Sequence, residues 1–307
     1  MAEVQANAVE VKLPLLETIL LSYKEFWAHF GDVVKVTWPW VFAAPALTWL
    51  AAWRQFSWMA GAIEDLKRSV PVGPTPAPVP PMPDVPFDVA LWATAANVVV
   101  ALAVVSIAVA WHRRVILNEP PGFALSNVTG GTFWRYLGEM VLIGVVAGIP
   151  VVLLAVSIMF PLLVEYKRMG PASLPAGQMW PEVLMSAVYA LAVVAAVRLS
   201  LLLPATAIGN RAMKFASSWQ RTRGNTLRLV GGLLATTVPP LLLGLVLSVV
   251  VAGSPDADLF AMTPRDVMAL GSALAAANAV GIGAFLLTLP IAIGFLSHAY
   301  RHFFPAV

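Results

Sequence analysis

Long apolar runs separated by short polar stretches set the layout of this chain. Six of them cover roughly 36–60, 88–111, 135–163, 183–204, 226–252 and 269–297. Each is long enough to cross the ~30 Å hydrocarbon core of a bilayer as a helix. Apolar and polar positions do not alternate within the runs, which excludes the ~10-residue strands of a lipid-facing barrel. Backbone groups facing lipid must be satisfied within their own segment, so the runs read as helices. The pattern predicts an all-α polytopic membrane protein: one membrane domain, 1–307, of six transmembrane helices paired as three helical hairpins.

A short pattern stands at the mouth of every second run. Gly31-Asp32-Val33-Val34-Lys35, Gly131-Thr132-Phe133-Trp134-Arg135 and Gly224-Asn225-Thr226-Leu227-Arg228 all read glycine, capping residue, two spacers and a cation. Their spacings of 100 and 93 residues divide the chain into approximate repeats, 10–115, 116–205 and 206–307. Asp32, Thr132 and Asn225 are expected as N-caps, accepting from free N–H groups of a new helix. Lys35, Arg135 and Arg228 then lie one turn in, at headgroup depth, where their stems can snorkel toward lipid phosphate. The helix dipole disfavours cations at that position, so lipid contact or topology is the better reason for them.

A short amphipathic or interfacial segment is expected before each odd run. In the first repeat Leu13, Leu16, Leu20, Tyr23, Trp27 and Phe30 recur at helical spacing. In the third, Ile208, Ala212, Phe215 and Trp219 form one stripe, and Arg211, Lys214, Ser218 and Arg221 the other. A basic amphipathic helix on an anionic leaflet fits this pattern; so does a cytoplasmic helix packed on its neighbours. The second repeat carries only a weak version at 122–129. Between the first two runs, 71–86 holds eight prolines and reads as an extended extracytoplasmic spacer.

Composition agrees with a membrane location. Hydrophobic residues make up 59% of the chain and charged residues 11%, and mean hydropathy is +0.81. Lys and Arg set the orientation. One set of flanks holds twelve: Lys12, Lys24, Lys35, Arg113, Arg114, Arg135, Arg211, Lys214, Arg221, Arg223, Arg228 and Arg301. The other holds five, with nine acids beside them. Both termini are therefore expected in the cytoplasm, with the protein in a bacterial inner membrane and no cleavable signal peptide. The excess of cations reflects this topology and gives no reason to expect nucleic acid as a partner.

Candidates for chemistry are few. The chain has no cysteine, so it has no disulfide or thiolate. Walker, dinucleotide, HExxH and GxSxG motifs are missing from the sequence. Ionisable groups inside spans are costly, and three qualify. Arg54 and Arg198 lie near span ends. Glu139 lies four residues after Arg135, a spacing that lets the two pair on one helix face or leaves the carboxylate free to relay protons. His298 and His302 share a helix face but have no acid or cysteine nearby in sequence, so no metal and no cofactor are expected. Pro45, Pro150, Pro239 and Pro240 interrupt the odd runs, as in the broken helices of transporter sites or as kinks in an inert bundle.

The stretch from Phe215 to Gly231, with Trp219, Arg221, Arg223-Gly224-Asn225 and Arg228, resembles the SWxLTxGNxWRLxG segment of YciC-like bacterial inner-membrane proteins. A similar segment occurs in the membrane region fused to some glycerophosphodiester phosphodiesterases. The resemblance is clearest over about 185–235. It implies a six-span bundle linked to the cell envelope and carries no catalytic residue across, since the phosphodiesterase domain is missing. The sequence thus favours a non-catalytic protein that binds membrane lipid, above all anionic lipid, or a membrane-protein partner through Lys35, Arg135, Arg211, Lys214, Arg221 and Arg228. Its rival is a transporter or channel for a lipidic or small apolar substrate.

Overall fold

A computed structural model describes residues 12–69, 83–122, 128–169, 180–252 and 263–305. The Pro-rich spacer up to residue 82 and positions 123–127 of the weak second interfacial segment lie outside the described residues. The chain forms α1 (Leu15–Ala28), α2 (Phe30–Ser69), α3 (Phe87–Leu117), α4 (Gly131–Met169), α5 (Trp180–Leu199), α6 (Leu202–Ala207), α7 (Phe215–Arg221), α8 (Thr226–Ala252) and α9 (Pro264–Phe303). No strand occurs among the described residues.

Five stretches are long and apolar enough to cross a membrane: Phe87–Leu117, Gly131–Ile158, Val183–Ala207, Thr226–Val250 and Pro264–Phe303. The first predicted run is helical and falls within α2, yet it is not among the five. Its middle is diluted by Trp38, Pro39, Trp40, Pro45, Trp49 and Trp53, residues that count for much less than Leu or Val on a hydropathy scale.

Helix α9 is the hub. It packs along α2 and α8, and also against α3 and α1. Half of its apolar window is buried, against 11% for α4. The α4–α5 pair joins the rest through α3, α6 and α8. The largest buried cluster gathers Phe26, Val36, Trp40, Ile107, Trp111, Phe133 and Leu286 from α1, α2, α3, α4 and α9.

Close approach at the hub depends on small residues. A Cβ on Gly232 of α8 would lie 2.0 Å from Cζ of the buried Phe295. One on Gly271 of α9 would lie 2.4 Å from Cγ of Phe56. In lipid, where apolar surface gains nothing by leaving solvent, such backbone approach is the main source of helix–helix attraction.

The same logic governs the seating of α1. Its large apolar residues Leu16, Leu20 and Trp27 point outward, and Thr18, Ser22 and Phe26 are buried. Thr18 and Ser22 turn their hydroxyls onto carbonyls one turn back, Pro14 O at 2.8 Å and Thr18 O at 2.7 Å. The face left behind is small enough for Ser22 to sit beside Gly294 of α9.

The three repeated elements also differ from one another. Asp32 and Thr132 do not cap, because the helices start earlier than expected, α2 at Phe30 and α4 at Gly131. The backbone carbonyl of His29 receives the N–H groups of Asp32 and Val33, so one residue joins α1 to α2 and no glycine turn is needed. Asn225 does stand immediately before α8. There Gly224 adopts φ +76°, the left-handed conformation glycine tolerates. The amphipathic segment of the third repeat is helical only from Phe215. Its Ser218 is buried and donates to Arg198 O at 2.5 Å, so it does not lie on an exposed polar stripe.

One proline break is repaired from outside its helix. Pro239 has no N–H to give to the carbonyl four residues back, that of Ala235. Tyr23 of α1 donates its hydroxyl to that oxygen at 3.0 Å. Burial pushes the Tyr23 phenol up from its ordinary value, so it keeps the proton it donates.

Candidate functional site

Three helices meet in a buried polar cluster at the end of the bundle where α3 finishes and α4 begins. His112 of α3 is fully buried, as is Ser297 of α9, and Tyr136 of α4 is 3% exposed. His112 Nδ1 lies 2.8 Å from Ser297 Oγ, and Nε2 lies 3.2 Å from Tyr136 Oη. Ser297 donates its own proton to Ile293 O at 2.8 Å, so its oxygen accepts from His112 Nδ1–H. That assigns Nε2 as the acceptor for the Tyr136 hydroxyl. Every polar atom of the cluster is thereby paired. The proton between His112 and Ser297 runs from imidazole to hydroxyl, the reverse of what activates a serine nucleophile.

Glu139 lies one turn beyond Tyr136. Among the described residues no ion pair joins it to Arg135. Its carboxylate instead accepts the Thr206 hydroxyl of α6, which corrects the expected Arg135–Glu139 pair. The i,i+4 spacing permitted that pair, but α6 brings a donor to the carboxylate and Arg135 stays half-buried apart from it.

Around this cluster the cations divide into two groups. Some are tied into the fold. Arg114 pairs with Asp32 at 2.9 Å, which accounts for Asp32 better than a capping role. Arg113 pairs with Glu119 at 2.6 Å and also donates to Ala207 O at 3.3 Å. Arg228 donates to Leu13 O at 2.6 Å, and Asn225 Oδ1 accepts from Leu13 N at 2.8 Å. The repeated cation and cap of the third unit therefore clasp the segment leading into α1. At the opposite end Arg54 reaches Asp88 at 3.4 Å.

The other cations face outward. Lys35, Arg211, Lys214 and Arg221 are exposed, as are Lys12, Lys24, Arg223 and Arg301. Arg221 has an aromatic neighbour, with its guanidinium carbon 5.5 Å from the centre of the Phe304 ring. Leu16, Leu20, Trp27 and Trp219 are exposed as well. Of the six cations singled out from sequence, four are thus exposed, Arg135 is half-buried and Arg228 serves the fold.

Arg198 belongs to neither group. Its Nε donates to Thr222 Oγ1 at 3.2 Å and another of its N–H groups to Trp219 O. Its guanidinium carbon stands 3.7 Å from the centre of the Trp219 ring, a cation–π contact. This arginine fastens α7 to the end of α5.

His112, Tyr136 and Ser297 were not singled out together by sequence reasoning. They lie 24 and 185 residues apart, in three different runs. The only local signal is a histidine at the end of an apolar run. His298 and His302 do share a face, and Nε2 of each is buried without a hydrogen-bond partner. Among the described residues no group of three metal-ligating side chains forms. No protein-family model matches this chain, and no curated protein or solved structure is significantly similar to it.

Proposed function

We propose that this is a non-catalytic protein of the bacterial inner membrane which organises anionic lipid, or a partner protein, at its basic end. In this reading the chain crosses six times as three hairpins. α2 supplies the crossing that its tryptophans and prolines make less apolar, and both termini lie in the cytoplasm. YciC-like membrane proteins are the family it would join. One observation carries the reading: Lys35, Arg211, Lys214 and Arg221 are exposed, and so are the large apolar side chains Leu16, Leu20 and Trp27 of α1 and Trp219 of α7. Apolar residues that seat a helix at the headgroup level, flanked by cations that meet phosphate, are the usual combination for anionic leaflets.

The test is to purify the protein in native-lipid discs and measure the lipid composition by mass spectrometry. Replacing Arg211, Lys214 and Arg221 together by Gln should remove the enrichment of anionic lipid. An unchanged lipid profile would count against the reading, and a stoichiometric protein in both preparations would make the basic end a protein-docking face.

A second reading, transport of a small apolar or lipidic substrate, draws on a groove of ≈ 220 Å³ between α8 and α9. It is lined in part by Pro240, Gly244, Ser248, Asn278 and Gly281. The Asn278 carboxamide makes no hydrogen bond among the described residues, and it sits well inside an apolar helix. Asn278→Leu would abolish transport under this reading and leave lipid enrichment at the basic end unchanged.

A further inference from the structure

A second groove, of ≈ 310 Å³, opens between the end of α5 and α7. Its lining is Leu199, Phe215, Ala216, Trp219 and Gln220. Four of the five are apolar, and Trp219 and Ala216 are exposed. At this size it falls at the lower end of ligand-binding clefts. Its floor is fixed, because Arg198 holds α7 through Thr222 and Trp219, and Ser218 returns a bond to Arg198 O.

The rim of the groove is positive without compensation. Arg223 follows the last turn of α7, where its N–H donates to the carbonyl of the groove-lining Gln220 at 3.1 Å, and the Arg198 guanidinium stands over the ring of Trp219 in the same lining. Neither enters an ion pair among the described residues, although other arginines of the same end, Arg113 and Arg114, each have a carboxylate. Arg198 spends only part of its five-donor guanidinium on Thr222 and Trp219. Two arginines beside one groove, neither held by a carboxylate among the described residues, are the arrangement that phosphate oxygens satisfy. The apolar groove beside them asks for a chain attached to that phosphate.

We propose that this groove seats one anionic phospholipid, with an acyl chain along Leu199, Phe215, Ala216 and Trp219 and the phosphate between the guanidinium groups of Arg198 and Arg223. The proposal rests on the reading of the basic end as a lipid-binding surface, and it adds a single defined site to that surface. Phospholipid is the occupant because charge and apolar lining stand side by side, which a free phosphate does not use.

The experiment places the full chain in discs of phosphatidylcholine containing phosphatidylglycerol as the only anionic lipid. Delipidation in mild detergent and native mass spectrometry then count the phosphatidylglycerol retained. The parent should keep one molecule. Arg223→Gln should weaken retention about tenfold by removing one charge-assisted contact. Ala216→Trp should do the same with both arginines intact, by filling the groove from an exposed position. Both residues are exposed, so the thermal unfolding curve should not move, and it serves as the folding check. The Gln triple variant of Arg211, Lys214 and Arg221 should lower general anionic enrichment and leave this one lipid bound. Full retention in both Arg223→Gln and Ala216→Trp would overturn the site, and the triple variant would still decide the wider reading. Displacement of phosphatidylglycerol by millimolar inorganic phosphate, with Ala216→Trp behaving as the parent, would make it an oxyanion site and overturn the acyl-chain assignment.

Discussion

At the basic end of the bundle, side chains from six helices hold one another. His112 links α3 to α4 and α9, Arg114 links α3 to α2, Glu139 links α4 to α6, and Tyr23 of α1 reaches the carbonyl of Ala235 in α8. Toward the far end of α8 the picture is different. Leu241, Leu242, Leu243, Leu245, Val246, Val249 and Val250 are all exposed, and Gly244 and Ser248 meet α9. Ser248 donates to Ala277 O at 2.9 Å, and a Cβ on Gly244 would meet Ala284 at 3.5 Å. The contrast shows how a membrane bundle divides its labour. Large apolar side chains make a face that lipid can wet, and small or polar ones make the joints. In water the same residues would be sorted the other way round.

The comparison breaks first at the tightest joint. Gly232→Leu drives a branched side chain into the ring of Phe295. It should cost about 3 kcal/mol or more, seen as a large fall in the denaturing detergent fraction needed to unfold the protein in bicelles. His112→Ala comes next. It leaves the Tyr136 hydroxyl without its acceptor and Ser297 without its donor, at a cost of about 1–2 kcal/mol on the scale of membrane hydrogen bonds. If the same titration shows no loss, the cluster does not join the three helices energetically. Tyr23→Phe should cost about 1 kcal/mol or less, because it strips the only side-chain donor from a carbonyl that Pro239 has already freed. The variant Tyr23→Phe with Pro239→Ala sharpens this. The restored helix bond should make the tyrosine hydroxyl dispensable, and a double-mutant cycle measures that coupling. The smallest effect is expected on α4. Gly144→Ala adds a methyl group where nothing lies within 4 Å, and the stability should move by no more than about 0.5 kcal/mol. A large loss there would mean that α4 has a neighbour on this face.

Much of the architecture was legible in the sequence because apolar run length is nearly all that membrane crossing requires. Five of the six runs fall in stretches able to cross, and the helical class follows from the same argument. The first run shows where hydropathy loses resolution. Trp and Pro lower the index of α2, yet α2 packs along the hub helix. The repeated glycine, cap and cation element was legible only as a pattern, and the three copies diverge in use. Asp32 pairs with Arg114, Arg228 clasps Leu13, and Arg135 does neither. Those outcomes depend on which distant segment arrives beside each copy, and local spacing carries no record of that. The apolar stripe of α1 left two seatings open, on a leaflet or against neighbours, and Leu16, Leu20 and Trp27 point outward while Leu13 is buried. An apolar stripe faces a core in water and faces lipid in a membrane. His112, Tyr136 and Ser297 were invisible as a group because they lie at the ends of three different runs, 24 and 185 residues apart.

The clasp on Leu13 bears on how the chain is made. Both backbone groups of that residue are held by Asn225 and Arg228, and Leu13 N and Asn225 lie 212 residues apart. A ribosome adding roughly 5–20 residues each second leaves an interval of about 10–40 s between the emergence of the two. Through that interval α1 exists without the partners that seat it, and α9, its principal neighbour, emerges later still. Leu16, Leu20 and Trp27 point outward, and the small face carrying Thr18 and Ser22 stays open until α9 arrives. α1 is thus among the last of the described helices to be locked, held by residues that emerge more than 200 positions after Leu13.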